Sequence, residues 1–230
     1  MTEGLLHLLK RVDTPTVCNA IEVAQGQRGF DGFTRGSMLC SVPGDVVVGY
    51  ARTARIRAVH PPQEPAEVIK ARRMAYYKYM SEGARPAVAV VQDLDGAEAI
   101  GAFWGEINTN VHKAFGLSGA LTDGVMRDLG DLPDGFPVVA GSIGPSHGFV
   151  HVIDFDQPVM IRGMDVVPGD LIHADRHGAV VIPRSVVVGL EAAIAQLFAS
   201  EKIILSATKG QRIDFETFKI AWSAFEASRT

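Results

Sequence analysis

The residues best suited to chemistry fall in two short stretches. One is "WGEIN", with Gly105 and Glu106. The other is "TDGVMRD", which ends in Arg127 and Asp128, and twenty residues lie between Glu106 and Arg127. Gly105 and Glu106 stand just before a segment with helical character. Free N–H groups at a helix start bind anions, and a glycine there lets an anion come close. Arg127 carries a planar fork suited to a carboxylate or an enolate. Asp128 and Glu106 supply the oxygen ligands that Mg²⁺ accepts, and Mg²⁺ keeps most of its waters, so one or two carboxylates suffice. The competing reading is a solvated Arg-Asp pair on a surface turn, which contributes little, with Glu106 only complementing a helix dipole. Asp123 and Gly124 read as a turn before the pair.

Other polar groups invite the same question. His173, Asp175 and His177 in "HADRHG" share one face of an extended strand and could hold a metal. The favoured alternative is a hairpin turn over 175–178 with exposed polar residues. His147 and His151 flank a glycine beyond "GSIGPS" and read as substrate contacts or as ordinary loop histidines. Asp93 and Asp95 close an apolar run and either line a cleft or cap the turn. Trp104 reads as core packing beside the site. The chain has no GxxxxGK[ST], GxGxxG or GxSxG pattern, which argues against the usual nucleotide loops and the hydrolase elbow.

The elements that must position these residues are legible in outline. Residues 3–11 suit a short amphipathic helix, and Thr14-Pro15 suits the cap and first position of a second. "GDVVVGYARTARIRAV" has strand character. "PAEVIKARRMAYYKYMSEG" suits a helix whose inner face would carry Val68, Ala71, Met74, Ala75 and Tyr79. "RPAVAVVQDLDG" reads as a buried strand opening onto a site at its C-terminal end. "GAFWGEINTNVHKAFG" reads as a loop entering a helix, "SGALTDG" as a short strand, "MRDLGDL" as the start of a helical turn and "FPVVAGSI" as a strand. After residue 150 come short strands between Gly, Pro and Asp turns, a long helix from residue 184, and a last helix capped by Asp214.

Composition sets the outer bounds. The 230 residues are 47% hydrophobic and 21% charged, with a net charge of −4, which suits one large globular domain or at most two small ones and does not suggest a nucleic-acid binder. The alternation of strand and helix in the central part then points to an α/β domain, taken as one domain over 1–230. Cys18 and Cys40 form no CxxC pattern and read as small buried apolar residues. His7, Lys10 and Arg11 interrupt the first apolar stretch, so no signal peptide is expected, and no run is long enough to span a bilayer. The expectation is a cytoplasmic protein without membrane or nucleic-acid partners.

The segment "WGEINTNVHKAFGLSGALTDGVMRD" resembles the signature of the RraA-like family: an acidic residue, twenty intervening residues, then Arg-Asp. "DTPTVCNAI", "PGDVVVGYARTARI" and "VVPGDLIHADRHGAVVIP" resemble further family blocks in the same order. The family includes the regulator of ribonuclease activity A and the class II aldolases acting on 4-hydroxy-4-methyl-2-oxoglutarate and 4-carboxy-4-hydroxy-2-oxoadipate. The resemblance implies a swivelling β/β/α fold with C-terminal helices, a homotrimer or homohexamer in which residues 184–230 contact a neighbouring subunit, and sites between subunits. It implies Mg²⁺ or Mn²⁺ on Asp128, Glu106 acting on the metal through water, and Arg127 binding a 2-oxo acid. The backbone N–H groups of Ile107 and Asn108 would hold its carboxylate. A further glutamate would come through water from a neighbouring subunit, Glu201 first and Glu191 second. The implied reaction is retro-aldol cleavage of a 4-hydroxy-2-oxo acid to pyruvate, with decarboxylation of oxaloacetate through the same enolate. Its alternatives are a non-catalytic regulator that binds and inhibits a partner enzyme, and another metal-dependent lyase or hydratase. Two positions depart from the family's common pattern, which often has Asp where Glu106 stands and Asp-Ala-Leu where this chain has Asn19-Ala20-Ile21.

Overall fold

The structure is a computed structural model that describes residues 1–210 and 212–228. The run "AVAVVQD" forms β3 (Ala87–Asp93) at the centre of an eight-stranded sheet. Its side chains alternate between two cores, with Ala87, Ala89 and Val91 in one and Val88 and Val90 in the other. That is why the run is apolar throughout rather than alternating: a strand covered on both faces has no wet side.

The chain begins with helices α1 (Glu3–Leu9) and α2 (Thr14–Gln25), the short strand β1 (Leu39–Cys40) and the long β2 (Val47–Arg57). Helix α3 (Ala66–Ser81) leads into β3, and β4 (Ala102–Trp104) leads into α4 (Glu106–Ala114). Then come β5 (Leu117–Thr122), β6 (Val125–Met126), β7 (Val138–Ala140) and β8 (Ser142–Ile143). The meander is β9 (His151–Phe155), β10 (Val159–Ile161), β11 (Met164–Val166), β12 (Leu171–Asp175) and β13 (Gly178–Ile182), followed by α5 (Leu190–Thr208) and α6 (Phe215–Ala227). The main sheet runs β1-β7-β5-β3-β2-β12-β13, with β9 paired to the far end of β2. Its middle, β2-β3-β5-β7, is parallel. Helices α3 and α4 cover one face, α1, α2 and α5 pack on a second core, and the β10–β11 hairpin closes a third. This is the expected α/β fold with C-terminal helices.

Local expectations fail in instructive ways. The cap of α2 is Asp13, whose carboxylate accepts the Thr16 N–H, and not Thr14. Thr14 is instead drawn inward: its N–H donates to Asp175 and its hydroxyl pairs with His173. Of the five residues expected inward on α3 only Tyr79 is buried, joined by Tyr76 and Met80; Ala71 and Ala75 are exposed, and Val68 and Met74 are 41% and 58% exposed. Buried tyrosines bring large apolar rings together with a hydroxyl that needs a partner. Tyr76 finds His112 and Tyr79 finds the Thr53 N–H, so they set the helix's rotation. "MRDLGDL" forms no helical turn, because Asp128 has φ 57. Aspartate tolerates that left-handed region, but a helix cannot pass through it. The long C-terminal helix starts at Leu190 after a 3₁₀ turn over Arg184–Val186. Cys18 and Cys40 are free and half-buried rather than fully buried, and burial pushes the Cys18 thiol up to about 11. Among the described residues no helix is long and apolar enough to cross a membrane.

Candidate functional site

Three very short strands build the site. β4, β6 and β8 pair side by side, all parallel, in a separate three-stranded sheet. At their C-terminal ends stand Gly105-Glu106, Arg127-Asp128 and the loop 144–150, respectively. Ligands in parallel α/β sheets bind beyond the strands' carboxyl ends, and here one edge carries all three stretches. The Arg127 N–H donates to the Trp104 carbonyl at 2.8 Å and the Gly144 N–H to the Met126 carbonyl at 3.0 Å, extending the pairing to the site itself.

Gly105 is the N-cap of α4 and supplies no capping side chain. Asp128 fills that role from across the site, its Oδ2 accepting the Glu106 N–H at 3.1 Å. A Cβ on Gly105 would sit 2.5 Å from Asp128 Oδ2 and 2.9 Å from Arg127 Nε. The glycine is thus demanded by close approach rather than by its own backbone angles. Arg127 reaches Asp128 Oδ1 at only 3.4 Å, and its buried Nε has no hydrogen-bond partner. Both side chains remain about 30% exposed (31% and 29%). This is neither a tight ion pair nor a solvated one: the guanidinium has donors to spare and the carboxylate has acceptor capacity to spare. Ile107 is 75% exposed at the mouth of the first turn of α4.

These residues open onto a cleft of about 170 Å³ lined by Arg73, Tyr77, Gly105, Asn108, Arg127, His147 and His151, among others. The volume lies below the roughly 300 Å³ at which drug-sized pockets begin, so the cleft suits a small ligand. Among the described residues no carboxylate lines it, and α4 adds the positive end of its dipole. The Nδ1 atoms of His147 and His151 pair with the carbonyls of Gly148 (2.6 Å) and Phe149 (2.8 Å). A carbonyl only accepts, so Nδ1 carries the proton and Nε2 is left available in each ring. The two histidines therefore belong to the same cleft as Arg127, and Arg73 joins them from α3. Arg73 had no signal in the sequence, because it is one of several basic residues on an exposed helix face.

Asp128 fits a hard cation. It offers a partly exposed carboxylate whose Oδ1 is held only by the long contact to Arg127, and exposed Glu106 follows Gly105 directly. Among the described residues no group of three or more His, Cys, Asp or Glu side chains converges on one point. A cation here would keep most of its water, as Mg²⁺ does. Glu201 and Glu191 lie on α5 and do not line this cleft. Glu201 borders a shallow depression with Phe198, Lys202 and Leu205, and Glu191 is exposed near Gly4 of α1.

The remaining polar candidates are structural. Asp95 accepts the N–H groups of Ala58 and Val59 and caps the end of β2, while Asp93 accepts the Asp95 N–H. "HADRHG" is a hairpin pairing Asp175 with Gly178. His173 and Asp175 are buried rather than exposed, however, because they anchor the N-terminal helices through Thr14 and the Leu9 carbonyl. Trp104 is fully buried, edge-on to His112.

Asp123 does more than shape a turn. Its Oδ1 accepts the Asp93 N–H at 2.7 Å and ties the ends of β5 and β3 together. Burial pushes its carboxyl up to about 6, against that hydrogen bond. A carboxyl raised on folding binds its proton more tightly in the folded state. The resulting destabilisation is present above about pH 6 and disappears as the pH falls toward the unfolded value near 4. Asp123→Asn keeps the acceptor and removes the charge. Its stability relative to the parent should rise by about 2 kcal/mol between pH 4 and pH 8, measured by urea unfolding at both values. Parallel pH dependences in the two proteins would refute this.

The profile of RraA-like proteins, Aldolase/RraA, matches residues 14–181. The chain is 30% identical over 147 residues to a Halalkalibacterium halodurans protein provisionally named 4-hydroxy-4-methyl-2-oxoglutarate aldolase. That match covers 61% of each sequence, so the chain spans about three fifths of that relative's length. Among solved structures, a Pseudomonas syringae pv. tomato protein superimposes with TM-score 0.72 at 23% identity, over 97% of this chain and 94% of that one; it bears on the fold alone. Streptomyces coelicolor RraAS2, described as an unusual member of the RNase ES inhibitor RraA protein family, superimposes with TM-score 0.63 at 26% identity, over 88% and 94%.

Proposed function

The chain belongs to the RraA-like family, and we propose that it is a divalent-metal-dependent lyase that cleaves a 4-hydroxy-2-oxo acid to pyruvate. One observation carries this reading. The unsatisfied Nε of Arg127 and the amides at the start of α4 meet at a small cleft that, among the described residues, no carboxylate lines, and the partly exposed carboxylate of Asp128 stands beside it against Arg127 and the Glu106 N–H. The N–H groups of Ile107 and Asn108 hold the substrate's carboxylate, and Arg127 grips the keto-acid end. Asp128 would hold Mg²⁺ or Mn²⁺ directly, and Glu106 would act on it through water. When bound, the cation supplies Lewis-acid polarisation of the 2-oxo group and neutralises the charge that grows there.

Glu106 orients the water that takes the proton from the 4-hydroxyl. The C3–C4 bond then breaks, its electron pair becomes the enolate of pyruvate, and a proton returned to C3 completes the product. Arg127 stabilises the enolate oxygen as charge develops. Arg73, His147 and His151 suit a second acid group on the substrate's distal half. Decarboxylation of oxaloacetate would pass through the same enolate. In a homotrimer or homohexamer, Glu201 of a neighbouring copy would complete the set.

A screen of 4-hydroxy-2-oxo acids and oxaloacetate, following pyruvate release with Mg²⁺ or Mn²⁺, tests the reading. Activity should vanish in EDTA, return with the cation and survive borohydride, because no lysine is among the described residues lining the cleft to form an imine. Full activity in EDTA, or a reduced covalent adduct with pyruvate, would overturn it. If no substrate turns over, the regulator reading takes its place.

A further inference from the structure

Asn108 contributes one of the two amides assigned to the substrate, yet its side chain is fully committed elsewhere. Its Nδ2 donates to the Phe103 carbonyl at 2.9 Å, and its Oδ1 accepts from the Tyr77 hydroxyl at 3.2 Å. Its backbone carbonyl takes a third contact from His112 Nδ1 at 2.6 Å. The carbonyl only accepts, so Nδ1 carries the proton and Nε2 must accept. The Tyr76 hydroxyl supplies that donor at 2.6 Å. Tyr76 and His112 are completely buried. The ring of His112 is enclosed by Trp104, Tyr76, Tyr77 and Phe115. Burial also pushes the histidine down to about 4, which keeps it neutral and in this one tautomer at ordinary pH. A buried polar chain with every member satisfied fixes geometry in a way that apolar packing does not.

These hydrogen bonds link the two walls of the cleft, α3 with Tyr77 and Arg73 on one side and the first turn of α4 on the other. We propose that Tyr76, Tyr77 and His112 form a brace that presets Asn108, and with it the first-turn amides of α4, for a substrate carboxylate. The three are positioning residues and touch no reacting atom through this chain. The proposal rests on the reading of the site given above.

Tyr76→Phe and Tyr77→Phe each remove one hydroxyl and leave the ring. The probe is oxalate, a planar stand-in for the pyruvate enolate, titrated calorimetrically with Mn²⁺ present. Each variant should bind oxalate about five- to tenfold more weakly, the size expected for one lost hydrogen bond. Affinity for Mn²⁺ alone should stay within about twofold, because Asp128 is untouched. Because the amides grip the carboxylate before and during reaction alike, KM should rise while kcat stays nearly constant. Lowered melting temperature with unchanged oxalate affinity in both variants would overturn the brace and leave a structural role. If Tyr76→Phe does not fold, Tyr77→Phe, at a half-buried ring, carries the same test. If oxalate does not bind the parent protein, the proposed function fails, and the brace is judged in the ligand-free protein. There the ¹⁵N resonance of Asn108 should move in both variants, and an unmoved resonance would overturn it.

Discussion

Arg127→Lys is expected to lower turnover by about 10² or more while leaving Mn²⁺ affinity close to the parent's. Arg127 is anchored by its backbone N–H on Trp104 and approaches Asp128 at only 3.4 Å, so most of its fork is available. Lysine keeps the charge but offers a point donor on a flexible stem, and it cannot address a carboxylate and an enolate oxygen with two parallel N–H groups. A charge-assisted contact made chiefly in the transition state is worth a few kcal/mol, and about 1.4 kcal/mol is a factor of ten. A solvated surface pair predicts the opposite, a variant within about twofold of the parent. Pyruvate-release rates at saturating Mn²⁺ separate the two, and a near-parental rate would remove Arg127 from the chemistry.

Asp128→Asn should abolish measurable Mn²⁺ binding and turnover together. Asparagine is more informative than alanine at this position for two structural reasons. Asp128 lies at φ 57, a region asparagine tolerates and alanine does not. Its Oδ2 also caps α4 through the Glu106 N–H, and an amide oxygen can still accept that bond. The fold and the helix start should therefore survive, with a stability change within about 1 kcal/mol. The hard cation loses its charged ligand. Removing even an outer partner of a metal ligand typically costs about 10- to 100-fold in affinity, and losing the ligand itself should cost more. Calorimetric titration with Mn²⁺ beside a urea unfolding curve decides the matter. Binding like the parent's would show that the cation sits elsewhere.

The sequence alone determined the elements whose signals are local. The continuous apolar run of "AVAVVQD", the Asp214 cap of α6 and the hairpin at "HADRHG" each depend on residues a few positions apart. Glu106 and Arg127-Asp128 stood out through the resemblance of their stretch to a family signature, and their spacing alone left a solvated surface pair open. What the sequence did not carry is how those residues meet. β6 and β8 are two residues long and β4 three, too short for any period, and they exist only because segments near 102, 125 and 142 pair with one another. The left-handed turn at Asp128, where the sequence suggests a helix start, goes with a carboxylate that bonds across the site to the Glu106 N–H. The inward face of α3 was chosen by tyrosine hydroxyls whose partners lie on other elements, not by the apolar spacing within the helix. Arg73 enters the cleft without any sequence signal, and the choice between cleft and ordinary loop for His147 and His151 was open, for the same reason: a side chain's neighbours across a cleft are set by long-range packing, which no local pattern records.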